Sequence, residues 1–320
     1  MAENQTKTYA DRAPEIPFKL KSFSKEGEKR FAHLINTVAD YSATGKSVLE
    51  TAANEGYQLQ MMLMGGNYGF VCPETKTIYL NSAASDGHLI ETLVHECRHI
   101  QQHKNGIPSE HGEFVLRDAV KLSRAKEADA ETMGASAAYE IMINGGGREV
   151  WDALTEKAPK ITEGLLNAAE REGAPLNHKM MQAAFDGWYQ NREIMQIYED
   201  SYLVTQCLGG SCDSRNNPRD YFKREMSSKE MVSAFCLDAS GKCYQSGRLN
   251  VLDEPERLQV QQKVLDMAER VNGNRRQSGL NADVSYHSLY AWGTAPKNGG
   301  KGADKAVLSA AAAKLKGSSR

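Results

Sequence analysis

The chain has 320 residues, 40% of them hydrophobic and 25% charged, with a formal net charge of −2 at pH 7. That length can bury one large core or two modest ones, and the near-neutral balance gives no electrostatic reason to expect a nucleic-acid or membrane-surface partner. No window approaches the ~18 uninterrupted apolar residues that would suggest a bilayer span, and the polar opening from Met1 to Pro17 lacks the apolar core of a secretory signal. A cytoplasmic protein is therefore expected.

In chain order, residues 1–24 read as a flexible lead-in. From Glu26 to Asn54 the apolar positions Phe31, Leu34, Ile35, Val38 and Tyr41 recur at intervals of three and four, which predicts an amphipathic helix. Tyr68 to Cys72 and Thr77 to Leu80 are rich in β-branched and aromatic residues, and Pro73-Glu74-Thr75-Lys76 between them predicts a hairpin. A strongly helical stretch runs from His88 to His103, with Leu89, Leu93 and Ile100 as a partial apolar face, and Gly106-Ile107-Pro108 ends it. A second long helix is predicted from Gly112 to Ile143. Its small residues, among them Ala125, Ala128, Gly134 and Ala138, permit close packing before the terminator Asn144-Gly145-Gly146-Gly147.

Further helical patterns cover 148–158, 161–172 and 178–206, with shorter ones at 227–236 and 253–272. From Thr294 onward the sequence is Gly, Ala, Ser and Lys with almost no large side chains. Burial cannot offset the ordering entropy of such a tail, so 294–320 is expected to lack stable structure. The elements together predict a mainly helical α+β fold with a small β-hairpin or sheet packed on the helix 88–103. Its organisation is read as a domain over 25–206 and a loop-rich helical region over 207–293.

Six cysteines are present, and Cys207, Cys212, Cys236 and Cys243 fall in that second region. Their spacings, C-x4-C and C-x6-C, are wider than the C-x2-C knuckles usual in zinc ribbons, so free thiols are expected.

The residues that carry chemistry lie in the helix 88–103. His95-Glu96-Cys97-Arg98-His99 has the form H-E-x-x-H. An i, i+4 spacing sets both imidazoles on one helix face about 6 Å apart along the axis, close enough to share one ion at the roughly 2.0–2.1 Å that zinc requires. Glu96 can then serve as general base toward a water at the same ion. The alternative is a pair of surface histidines that merely stabilise a helix.

A third ligand must come from elsewhere. His103 stands about 12 Å from His95 along the same axis and cannot join it on one ion. The metzincin extension is absent, because Gln102 and Asn105 stand where its glycine and third histidine belong, and His111 lies beyond the offset. The stretch Lys126-Glu127-Ala128-Asp129-Ala130-Glu131, about 28 residues after His99, offers three carboxylates.

With TLVHECRHIQQ followed by a helical EADAE, the chain resembles the gluzincin group of zincin metallopeptidases, and in particular a set of bacterial metallopeptidase-like proteins of undetermined substrate. The resemblance is clearest over about residues 66–145. It implies a zincin-like fold, one catalytic zinc held by His95, His99 and Glu127, and Glu96 as base. One departure stands out. Several gluzincins use E-x-x-x-D, yet Ala125 lies four residues before Asp129. Either Glu127 is the ligand with Glu131 in support, or Asp129 or Glu131 binds directly. Glu127 is favoured because it alone has a carboxylate four residues on along the same face, whereas Asp129 points about 160° away.

Glu131, Asp129 and Glu91 are candidates to orient the ligand imidazoles. Arg98 is expected to pair with an acid such as Asp118, and Cys97 to be a small packed side chain. Tyr198, Tyr202 and His178 are candidate donors to the scissile carbonyl oxygen, and Thr77 to Leu80 a strand along which a substrate could pair. The expected function is zinc-dependent hydrolysis of a peptide or protein, or of a non-peptide amide. A non-catalytic, metal-stabilised helical module is the alternative.

Overall fold

A computed structural model of the protein describes residues 9–22, 24–108, 112–173, 175–280 and 284–296. The chain divides into two compact units. The first comprises Met1–Glu110, Leu122–Met195 and Lys229–Leu249, and the second comprises His111–Lys121, Gln196–Ser228 and Asn250–Arg320. Most of the tail expected to lack structure, residues 297–320, lies outside the described residues. Among the described residues no helix is long and apolar enough to cross a membrane.

The first unit opens with β1 (Lys19–Lys21), α1 (Lys25–Tyr41) and α2 (Ala43–Asn54). Then come β2 (Gln58–Met62), β3 (Gly69–Cys72), β4 (Thr77–Asn81) and α3 (Asp86–Lys104). The sheet order is β1-β2-β4-β3, with β1, β2 and β4 parallel and β3 antiparallel to β4. This is the mainly helical α+β architecture read from the sequence, and the predicted hairpin is β3–β4. Residues ahead of α1 take part, since the Asn36 side chain accepts from Glu15 N at 2.7 Å and donates to Ala13 O at 3.0 Å. The central position of β4 corrects one expectation. It is paired on both sides, so Thr77 to Leu80 has no free edge to offer a substrate, and β1 and β3 are the edge strands.

The helix predicted over 26–54 is interrupted at Ser42, and the reason lies on another element. Ser42 turns extended (φ −133°, ψ 110°), and its hydroxyl accepts from Gly45 N at the start of α2. The Glu140 carboxylate takes the Ser42 hydroxyl at 2.6 Å, Thr44 N at 2.9 Å and the Thr44 hydroxyl at 3.0 Å. An acid thus caps a helix N-terminus whose first amides have no partner within the helix.

α3 starts at an N-cap, Ser85, whose side chain accepts from His88 N. It is buried nearly all round, with Leu89, Leu93, Val94 and Cys97 wholly enclosed. Its N-terminal half lies close against β3, where a Cβ added to Gly69 would come 2.8 Å from Thr92 Cγ2. Tyr68 stacks on His88 with centroids 4.5 Å apart.

The second long helix, α4 (Leu116–Ile143), starts four residues later than predicted, because Phe114 is bridged to Arg224 and Val115 N donates to Arg224 O at 2.8 Å. Its alanines and Gly134 pack as read from the sequence, and a Cβ on Gly134 would lie 2.7 Å from Glu91 Oε1. Next are α5 (Glu149–Lys157), α6 (Pro159–Glu172) and α7 (His178–Trp188). α6 and α7 meet backbone to backbone. A Cβ on Gly187 would stand 2.5 Å from Lys160 O, and one on Gly164 would stand 2.8 Å from Ala183 O.

The helix predicted over 178–206 is broken into α7, α8 (Arg192–Tyr198) and a π-helical stretch Glu199–Gly209. The break follows from Asn191, whose side chain accepts from Ile194 N at 3.2 Å and starts a new helix. The short α9 (Gly210–Cys212) lies in the second unit, and α10 (Ser228–Phe235) lies mainly in the first.

The second unit also holds β5 (Gln259–Val260), α11 (Gln262–Gln277) and β6 (Tyr290–Ala291). The predicted helix 253–272 is displaced to α11. Pro255 opens a 3-10 turn to Leu258, and β5 then pairs in parallel with β6.

Candidate metal centre

Helical spacing brings the two histidines of α3 together as expected. His95 Nε2 and His99 Nε2 are 3.1 Å apart, with the rings edge to face. From α4, Glu127 Oε2 reaches 3.5 Å from each of those nitrogens. The three atoms form a triangle with edges of 3.1, 3.5 and 3.5 Å. A tetrahedral zinc with bonds of about 2.0–2.1 Å separates its ligand atoms by about 3.3–3.4 Å. The donor set therefore matches such an ion in both size and chemistry. All three side chains are largely shielded from water, with 9% (His95), 14% (His99) and 3% (Glu127) exposed.

Electrostatics point the same way. Burial alone would lower the His95 pKa, yet Glu127, Glu131 and Glu96 outweigh it and raise it to about 9. Burial would raise the Glu127 carboxyl, yet the two imidazoles hold it well below the usual carboxylate range. A pocket in which several carboxylates surround two imidazoles calls for positive charge, and without a metal a proton supplies it.

Of the remaining ring nitrogens, that of His99 is held by a hydrogen bond, and that of His95 faces Glu131 without one. His99 Nδ1 lies 2.9 Å from Gln102 Oε1. Gln102 Nε2 donates to Asp129 at 2.7 Å and to Lys126 O at 2.9 Å, which fixes the amide so that its oxygen faces the ring. His99 consequently donates from Nδ1 and directs Nε2 toward Glu127 and His95. His95 Nδ1 lies 3.5 Å from Glu131 Oε1. Lys157 Nζ holds Glu131 at 2.9 Å and Glu91 at 3.0 Å. Beside that ammonium Glu131 is lowered, whereas burial raises the deeper Glu91.

Of the three acids in the EADAE stretch, Glu127 thus faces both histidines and Glu131 the far side of His95. Asp129 points away and accepts from Arg98 at 2.7 and 3.0 Å and from Tyr244 at 2.8 Å. Arg98 also donates to Phe235 O and, at 2.8 Å, to Leu237 O. The expected partner Asp118 is wrong. It sits on the first turn of α4, about 16 Å further along the axis at 1.5 Å per residue, and binds Lys121 at 2.8 Å, Arg117 at 2.9 Å and Met226 N at 3.0 Å.

Glu96 is 8% exposed, and its charge acts on both His95 and Lys126. Cys97 is wholly buried, which pushes its thiol well above the ordinary range. All six cysteines are free thiols. His178 is taken up by Asp238 at 2.6 Å, and Tyr198 stacks on Tyr202 in the second unit. His103 is exposed, and His111 lies outside the described residues. Gln102, Lys157 and Tyr244 carry positions that the sequence reading did not assign. Only Gln102, one turn after His99, had a local signal to find it.

Residues 10–246 match the family described as "Putative metallopeptidase family (DUF6782)". The chain belongs to the DUF6782 family. That description implies a metal ion and a peptide substrate, and the matched span takes in every residue of the His95, His99 and Glu127 cluster as well as Tyr244. Comparison with curated proteins and with solved structures gave no match.

Proposed function

We propose that this chain is a zinc-dependent peptidase in which His95, His99 and Glu127 hold one zinc ion and Glu96 is the general base. The reading is carried by the triangle of donor atoms, whose edges suit a tetrahedral ion with a fourth place left for the reaction. When bound, the ion supplies Lewis acidity, lowering the pKa of water and polarising the scissile carbonyl. Glu96 follows His95 directly and takes the proton from the attacking water, then delivers it to the leaving amine. Gln102 holds the His99 imidazole with its Nε2 inward, and the Glu131–Lys157 pair lies behind the His95 ring. The edge strand β3, lying on α3 one turn ahead of the motif, offers the backbone groups along which an extended substrate can pair.

Substitution tests the assignment. Glu96→Gln keeps its zinc and loses peptide hydrolysis by about 10²–10⁴-fold, the usual contribution of a general base. His95→Ala loses the metal itself. Metal content by elemental analysis and digestion of a peptide library, with and without chelator, read both. Full activity in Glu96→Gln, or unchanged zinc in His95→Ala, removes the assignment.

A further inference from the structure

Behind His95, on the side of its ring away from Glu127, side chains from three helices meet. Glu91 comes from α3, Glu131 from α4 and Lys157 from the last position of α5. Lys157 Nζ stands 2.9 Å from Glu131 Oε1 and 3.0 Å from Glu91 Oε2. The same Glu131 oxygen stands 3.5 Å from His95 Nδ1. Both acids are buried, and the fold makes room for one of them, since a Cβ on Gly134 would lie 2.7 Å from Glu91 Oε1. Among the described residues, Glu91 Oε1, Glu131 Oε2 and His95 Nδ1 have no hydrogen-bond partner.

Buried acids cost free energy unless they are paired, so this chamber is a poor device for stability alone. The docking of α5 does not depend on it. At the other end of that helix a Cβ on Gly87 of α3 would lie 2.4 Å from Glu149 O, and Val150, Trp151 and Leu154 are buried. What the ammonium does is fix one oxygen of Glu131 beside the histidine. A histidine that binds a metal through Nε2 carries its proton on Nδ1 and needs an acceptor there. Glu131 Oε1 is the oxygen at hand, and Lys157 keeps it in place.

We propose that Lys157 is a positioning residue of the metal centre, holding Glu131 opposite Nδ1 of His95 and so setting the rotation of the imidazole that turns Nε2 toward Glu127 and His99. The proposal rests on the metal-binding reading of that centre. It is tested by titrating cobalt(II), which takes the same donors as zinc and whose visible bands respond to ligand geometry, into the full-length, chelator-stripped chain. Lys157→Met is expected to shift and weaken the bands and to bind cobalt about 10–100-fold less tightly, the usual cost of losing an outer partner of a metal ligand.

Lys157→Met leaves two bare acids in a buried place, so the titration is repeated with Glu91→Gln beside it, where the same change is expected. Val150→Ala is the control. It loosens α5 without touching the ammonium, and it is expected to lower the melting temperature yet keep the wild-type bands. Wild-type bands and affinity in either folded Lys157 variant, or the same band shift in Val150→Ala, overturns the proposal, as does failure of both Lys157 variants to fold. A wild-type chain that gives no cobalt bands ends the metal-binding reading itself and the proposal with it.

Discussion

His95 is the residue on which most of the site's electrostatics converge. Its pKa rises from an ordinary value near 6.5 to about 9, against burial, because Glu127, Glu131 and Glu96 favour the imidazolium. A raised basic group contributes stability that is complete below the unfolded pKa and disappears as pH climbs through the folded one. Metal-free protein is thus expected to lose up to a few kcal/mol between about pH 6.5 and 9. Thermal melts of the chelated chain across that window measure the loss, with His95→Gln as the control that lacks it. A rise in stability over the same range would contradict the assignment. Zinc affinity runs the other way and increases with pH, since protons compete for the same nitrogens. At this scale the sequence was readable wherever spacing alone brings groups together, as in His95, Glu96 and His99. Lys157 meets Glu91 across 66 positions and Tyr244 meets Asp129 across 115, and no local pattern encodes such meetings.

Among the elements, α3 and α4 owe their fixed relation to a polar seam as well as to small residues. Arg98 and Asp129 are 1% and 0% exposed and bond through two nitrogens, with Tyr244 and Gln102 completing the acid's partners. Removing one member of such a pair strands a buried charge. Asp129→Ala is expected to cost about 3–5 kcal/mol in stability, read as a fall in the denaturant midpoint of the metal-free chain. A change below about 1 kcal/mol would place the seam among the weak surface pairs instead. The helices themselves were legible from periodicity, but their ends were not always. Ser42 interrupts a continuous apolar pattern because Glu140, on a distant element, caps the second segment. Asn191 did carry a local signal, a capping side chain inside an aromatic-rich stretch, which the helical period of Phe185, Trp188 and Ile194 obscured.

For the whole molecule, a ligand held only by the folded state stabilises it by mass action. Free zinc at about 100 times its dissociation constant contributes about 2.7 kcal/mol. For a chain of 320 residues that corresponds to a shift of about 4 °C, at an unfolding entropy of about 2.1 cal/mol/K per residue. Chelation is expected to lower the melting temperature by that amount, with zinc restoring it and His99→Ala unresponsive. An identical melt with and without chelator would argue against a bound ion.

The first unit is not contiguous in the chain, and this has a temporal side. Phe235 and Leu237 supply carbonyls to Arg98, and Tyr244 supplies a hydroxyl to Asp129. On a ribosome, α3 and α4 emerge well before any of these groups exist. A nascent chain that ends before Ser228 already carries His95, His99 and Glu127, yet it lacks the three late oxygen groups that bond to Arg98 and Asp129. The Arg98–Asp129 seam therefore gains its full set of partners only once translation has passed Tyr244.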